Sequence, residues 1–278
     1  MSKILGSGAI TKMRTELASK VQYRLPIGDD EVAMNELIGQ RLHLSFLQAI
    51  TCCHCGRKTN KSFNQGYCYP CFTKLAQCDN CIVSPEKCHY DAGTCREPEW
   101  GEANCLIDHY VYLANSSGLK VGITRGTQIP TRWMDQGATQ AIPLLRVATR
   151  RQSGLVEVAC KAFVADKTNW RAMLKGEADN IDMRAAAADI LTKASSDIAA
   201  LQGEFGINNI QVLDQAEPVS IDYPVEEYPT KVSSFNLDKN PDVEATLMGI
   251  KGQYLIFDTG VINMRKYTSY HLQLSVLS

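Results

Sequence analysis

"TCCHCGRKTNKSFNQGYCYPCF", residues 51–72, places five cysteines in 22 residues. Taken from Cys52, the spacing reads C-x2-C-x12-C-x2-C through Cys55, Cys68 and Cys71. Two tight knuckles of this kind, each offering a pair of thiolates, can close a tetrahedral four-sulfur shell around zinc. A shell closed by four thiolates keeps no position open for substrate, so its expected role is structural. Cys53 or His54 could stand in for a ligand, and Arg57, Lys58 and Lys61 would offset the charge of a zinc tetrathiolate.

A second set follows at once. Cys78 and Cys81 in QCDNC lead to Cys88, Cys95 and Cys105, with His89 and His109 nearby; Cys78, Cys81, Cys88 and Cys95 form the simplest second ligand set. Ten of the eleven cysteines fall between Cys52 and Cys105. In a reducing compartment such pairs favour metal ligation over disulfides. Zinc suits the first set, whereas the irregular second set leaves an iron-sulfur cluster open, because thiolates serve both. Residues 51–105 are poor in apolar runs, so metal has to replace a missing core there.

Outward from the cysteines, the hydrophobic content of 45% is that of an ordinary globular protein. The opening MSKILGSGAITKM has no secretory h-region and no apolar run approaches membrane-spanning length, so the expectation is a cytoplasmic protein with no membrane partner. The net charge of -1 gives no global reason to bind a polyanion. Its distribution does: from Leu106 to Lys175 there are ten bases against four acids (Asp108, Asp135, Glu157 and Asp166), a local excess of six. Arg125, Arg146, Arg150 and Arg151 are the candidate nucleic-acid contacts within it.

Alternation in Val21, Tyr23, Leu25 and in Leu42, Leu44, Phe46 around the turn PIGDDE predicts strands over residues 1–50. HYVYLA and LKVGIT, joined by NSSG, predict a hairpin followed by helices opening near Pro130 and Ser153. Helical spacing from Met183 to Leu201 predicts one amphipathic helix stopped at Gly203, and a Pro-rich linker from Pro218 to Pro241 leads into KGQYLIFD, GVINMRKY and SYHLQLSV, more strands with a turn at Asp258-Thr259-Gly260. There is no internal repeat. The expected class is α+β: a strand-rich region over 1–50, a metal-binding module over 51–105, a small α/β core over 106–178, a helical connector over 179–217, and a strand-rich region over 218–278 that could pack with the first.

The stretch "HYVYLANSSGLKVGITRGTQIPTRWMDQGA" (109–138), followed by "SGLVEVACKAF" (153–163), resembles the core of GIY-YIG nucleases. In that family a first strand carries a Tyr, a second ends in a Gly motif, the next helix offers an Arg and a later helix a Glu. Carried over by position, the resemblance puts Tyr112 at the first-motif Tyr, Gly122 at the second-motif Gly, Arg132 at the helix Arg and Glu157 at the metal-binding Glu. Tyr110 stands where the first motif has Gly, and Lys120 where the second has Tyr. The whole arrangement also resembles an uncharacterised bacterial family of cysteine-rich, zinc-ribbon proteins.

The resemblance implies a Mg²⁺- or Mn²⁺-dependent nuclease acting on DNA or RNA, with Tyr112, Lys120, Arg132 and Glu157 as the catalytic set. The chemistry is coherent: Glu157 supplies an oxygen ligand to the metal, Arg132 a planar fork to phosphate, and Tyr112 or Lys120 a water-positioning or activating group. Two alternatives stand beside it: a non-catalytic, zinc-containing nucleic-acid or ribonucleoprotein binding protein, and a nucleic-acid-modifying enzyme with an iron-sulfur cluster at the second cysteine set.

Overall fold

The computed structural model describes residues 2–165 and 167–277; Asp166, one of the four acids counted above, lies outside them. The chain is an α+β protein, with three sheets among the described residues. Its first half contributes β1 (Ser2–Ala9), β2 (Arg14–Glu16), β3 (Gln22–Ile27), β4 (Asp30–Ala33), β5 (Arg41–Ile50), α1 (Tyr69–Lys74), α2 (Pro98–Cys105), β6 (His109–Asn115), β7 (Leu119–Arg125) and α3 (Thr131–Asp135). The second half adds β8 (Gln140–Val147), α4 (Arg150–Lys161), α5 (Trp170–Leu174), α6 (Met183–Lys193), α7 (Ser195–Phe205), β9 (Ile210–Val212), β10 (Val219–Ser220), β11 (Asp242–Lys251), β12 (Tyr254–Phe257), β13 (Gly260–Asn263) and β14 (Tyr270–Leu277).

Both ends of the chain meet in one six-stranded sheet, ordered β1-β14-β5-β11-β12-β13. The alternation of Leu42, Leu44 and Phe46 turns those side chains inward along β5, and Leu272 and Leu274 of β14 pair with Phe46 and Leu44 in register. A three-stranded sheet of β2, β3 and β4 packs Tyr23, Leu25 and Ile27 into the same core. The turn at the last hairpin is Asp258-Thr259, with Phe257 paired to Gly260.

The middle of the chain forms the third sheet, ordered β10-β8-β6-β7 with β9 beside β8, so the first strand of the hairpin is central. It is covered on both faces. Val111, Leu113 and Val121 join α4, α6 and α7 in one core, whereas Tyr112 and Ala114, pointing the other way, join Trp133, Met134 and the terminal β region in another. This explains why β6 reads as nearly continuous apolar sequence rather than clean alternation.

Three expectations are corrected. The single helix over Met183–Leu201 is two, α6 and α7, meeting at Ala194, and α7 stops at Gly206 rather than Gly203, because Gly206 adopts φ +91° after the last turn. Residues 218–241 are no free linker: Ile221, Tyr223 and Leu237 are buried in the main core, and Tyr223 Oη donates to the Ala138 carbonyl at 2.7 Å. Finally, α4 begins three residues before Ser153, where Thr149 and Gln152 form a reciprocal capping box, a device contributing about 1 kcal/mol.

Candidate metal centre and α/β site

The knuckles form as their spacing requires. In the first, Gly56 N–H donates to the Cys52 carbonyl at 2.9 Å and Cys52 N–H to that of Arg57 at 2.9 Å. In the second, Phe63 and Tyr67 exchange backbone hydrogen bonds, after which Cys68 caps α1 and Leu75 N–H returns to the Cys71 carbonyl. The result draws the sulfurs of Cys52, Cys55, Cys68 and Cys71 to within 4.8 Å of one another.

Cys55 Sγ and Cys68 Sγ stand 3.8 Å apart. Four sulfurs at the zinc–thiolate distance of about 2.3 Å define a tetrahedron with an edge of about 3.8 Å, so this set could hold a metal ion of that size. Burial opposes ionisation of Cys52, but the amides of Cys55, Cys68 and His54 outweigh it and bring the thiol down to about 6. Arg57 lies against Cys55, whose thiolate raises the guanidinium further, as its expected charge-offsetting role requires. Cys53 turns away, toward Tyr67 and Ser269.

Of the second set, Cys78 stands apart from the other three. Cys78 is buried facing Asn64, with Arg96 and Cys52 as its charged neighbours, and so belongs to the wall of the first knuckles. Cys105, on the last turn of α2, lies nearer to those three: Cys81, Cys88, Cys95 and Cys105 line one cavity. The order of the cysteines in sequence gave no sign of this arrangement, which depends on α2 folding back over the loop.

In the α/β core, Tyr112 and Gly122 are directly paired across β6 and β7. The Tyr112 ring lies over the glycine so closely that a Cβ there would sit 2.7 Å from Oη. Tyr112 is fully buried, packs edge-on against Trp133 at 5.9 Å, and donates from Oη to Gln136 Oε1 at 3.2 Å. Burial holds its hydroxyl protonated, pushing the pKa up despite the opposing charge of the nearby Arg132 guanidinium. Glu157, on α4, is close enough for its charge to act on Tyr112, and its carboxylate stands 3.5 Å from Lys161 Nζ. Lys120, two residues before Gly122 on the same strand face, is buried and donates from Nζ to Thr168 Oγ1 at 2.5 Å.

Arg265 joins this group from the far end of the chain. Its guanidinium is held by Gln65 Oε1 at 2.6 Å, and burial and then the neighbouring Arg132 charge pull its pKa down. No local pattern marked it, since MRKY reads as a strand end. Gln136 was likewise missed, though it lies one turn beyond Arg132.

The four arginines expected to meet nucleic acid are engaged within the protein. Arg146 makes a two-pronged pair with Asp108 at 2.7 and 2.8 Å; Arg151 pairs with Asp91 at 3.1 Å; Arg125 donates to Asn104 Oδ1 at 2.6 Å; Arg150 donates to the Ile82 carbonyl at 2.5 Å. Three of these partners belong to the cysteine-rich module. Gly154 completes that junction, because a Cβ there would come 2.5 Å from the amide nitrogen of Glu86. Arg125, Arg150 and Arg151 therefore reach from the core to the module, whereas Arg146 is held by Asp108 within the core, and a nucleic acid would have to compete with these partners.

Beside this junction His109 is fully buried; its Nδ1 lies 2.7 Å from the Ile107 carbonyl, which fixes Nε2 as the lone-pair nitrogen. Burial lowers its pKa to about 4.

Fold and cysteine geometry thus define an α+β protein with a four-cysteine site able to hold a metal. Residues 39–272 match a family described as a protein of unknown function (DUF2797), and the chain belongs to that family. No curated protein and no solved structure matches it. Among the described residues, no helix is long and apolar enough to cross a membrane.

Proposed function

We propose that this protein cleaves phosphodiester bonds in DNA or RNA at a GIY-YIG-type site built on β6, β7, α3 and α4, with zinc at Cys52, Cys55, Cys68 and Cys71 holding the adjoining module together. The observation that carries the reading is the packing of Tyr112 over Gly122 with the Arg132 and Glu157 charges both in reach of its hydroxyl. The central position of β6 between β7 and β8 also supports it.

Glu157 suits a hard divalent cation, since Mg²⁺ takes one or two carboxylates and otherwise keeps its water. Bound there, the cation would polarise the phosphate and offset charge developing on its oxygens. Arg132, with Arg265 beside it, presents paired positive charge to a phosphate, and a planar fork binds two of its oxygens. Tyr112, kept protonated by burial and already donating to Gln136, acts as a positioning group for its neighbours rather than as a base. Lys120 occupies the place of the second Tyr, and its contact with Thr168 fixes it as a positioning group.

The test is a panel of single-stranded and duplex DNA and RNA incubated with the full chain and Mg²⁺ or Mn²⁺. Cutting that requires the divalent ion and falls at least about 100-fold in both Arg132→Ala and Glu157→Gln is the expected result. Binding that weakens with salt, needs no divalent ion and never leads to cutting would replace this reading with a non-catalytic nucleic-acid-binding protein.

A further inference from the structure

The cavity between the cysteine-rich module and α4 has a property that its amino-acid spacing hides. Cys81, Cys88, Cys95 and Cys105 all line it, with Tyr90 and Trp100 closing the sides. Each of Cys81 and Cys105 lies within electrostatic reach of Cys88 and Cys95. The backbone of α2 presses in: a Cβ at Gly101 would stand 3.4 Å from Cys95 Sγ, and Cys105 follows one helical turn later on the same face. The cavity volume is about 20 Å³, room for one ion or water-sized object.

A second, independent observation concerns Arg150. Its guanidinium is largely buried; one nitrogen reaches the Ile82 carbonyl, Nε is buried without any partner, and it pairs with no carboxylate among the described residues. Cys105 and Cys81 lie within its electrostatic reach, as does Arg125. A buried, uncompensated guanidinium costs several kcal/mol, and neutral thiols do not relieve it. Four thiolates around a divalent ion carry a net charge of -2, which Arg150 and Arg125 would balance.

We propose that Cys81, Cys88, Cys95 and Cys105 bind a second, single thiophilic divalent ion of the zinc class, with Arg150 as its buried counter-charge across the module–core junction. The competing ligands are Asp79 and His89, which with Cys81 already stand within 4.8 Å of one another, whereas the four cysteines have to draw closer together around the ion. Asp79 is already committed, accepting from Arg96 Nε at 2.7 Å and from the Asn80 amide at 2.6 Å, and His89 Nδ1 is engaged by Thr94 at 2.8 Å.

Metal analysis of the full chain, purified without added metal or chelator, should find two zinc ions per chain. X-ray absorption at the zinc edge should find sulfur alone in the inner shell. Cys95→Ser and Cys105→Ser should each remove one equivalent, while Cys78→Ser and His89→Ala keep both. One zinc per chain, a nitrogen or oxygen neighbour in the zinc shell, iron with visible absorption, or loss of the second ion in Cys78→Ser or His89→Ala would each overturn the assignment. The wild-type count and inner shell decide the matter even if a cysteine variant fails to fold.

Discussion

Cys68→Ser is expected to cost the protein one metal equivalent and to unfold residues 51–72 while the terminal β sheet stays assembled. Between Thr51 and Phe72 the buried residues are Cys52, Gly66 and Cys68, so no apolar core would hold the segment once the sulfur shell is broken. The helix that Cys68 caps is six residues long and buries no side chain, too short to persist alone. Contacts such as the stacked Phe63 and Phe72 rings at 5.6 Å, or the Ser269 hydroxyl donating to the Gly66 carbonyl at 3.1 Å, are each worth on the order of 1 kcal/mol. Structural zinc in small modules is worth about 10–16 kcal/mol in apparent folding free energy, and losing one of four thiolates forfeits much of it. Metal content together with hydrogen exchange over 51–72 checks this: full metal occupancy and unchanged protection in Cys68→Ser would show that the segment is held by packing instead.

Gly122→Ala is the second large effect, and it acts through Tyr112. The added methyl would stand 2.7 Å from Oη and 2.8 Å from Cζ of a ring that is itself fully buried against Trp133. Neither the ring nor the paired strands have space to yield, so a loss of about 2–3 kcal/mol in stability is expected, near the upper end of ordinary overpacking. Cleavage should fall further than stability does, since a displacement of about 1 Å at a positioning group can cost on the order of 100-fold. A double-mutant cycle isolates the cause: in a Tyr112→Leu background the same methyl should cost little. Equal penalties for Gly122→Ala in both backgrounds would mean that the ring contact is not what makes glycine necessary.

The sequence was legible wherever chemistry is local. The two knuckles depend on residues three apart, and β5 on alternate residues. The pairing of Tyr112 with Gly122 depends on one hairpin whose turn, NSSG, is plain. What depends on long-range packing was not legible. That Cys105 and not Cys78 lines the second cavity follows from α2 folding back over Cys81 and Cys88, and spacing carries no record of that fold. The excess of bases after Leu106 suggested a polyanion surface, yet Arg125, Arg150 and Arg151 meet partners 21 to 68 residues away. Charge composition cannot distinguish an arginine that waits for phosphate from one that closes a domain junction. Arg265 reaches the neighbourhood of Arg132 from across 133 positions because β14 inserts between β1 and β5 and draws the chain's end back to the middle.

The proposed hold of Glu157 on a hard divalent cation beside Tyr112 and Arg132 can be tested without knowing the substrate. Electron paramagnetic resonance of Mn²⁺ titrated into the zinc-loaded wild-type chain and into Glu157→Gln, each with a short oligonucleotide present, measures it directly. The expected result is one bound Mn²⁺ per wild-type chain and none in Glu157→Gln, with zinc content the same in both. Equal Mn²⁺ binding by the two proteins, or none by the wild type, would contradict a metal-dependent phosphodiester site at this position.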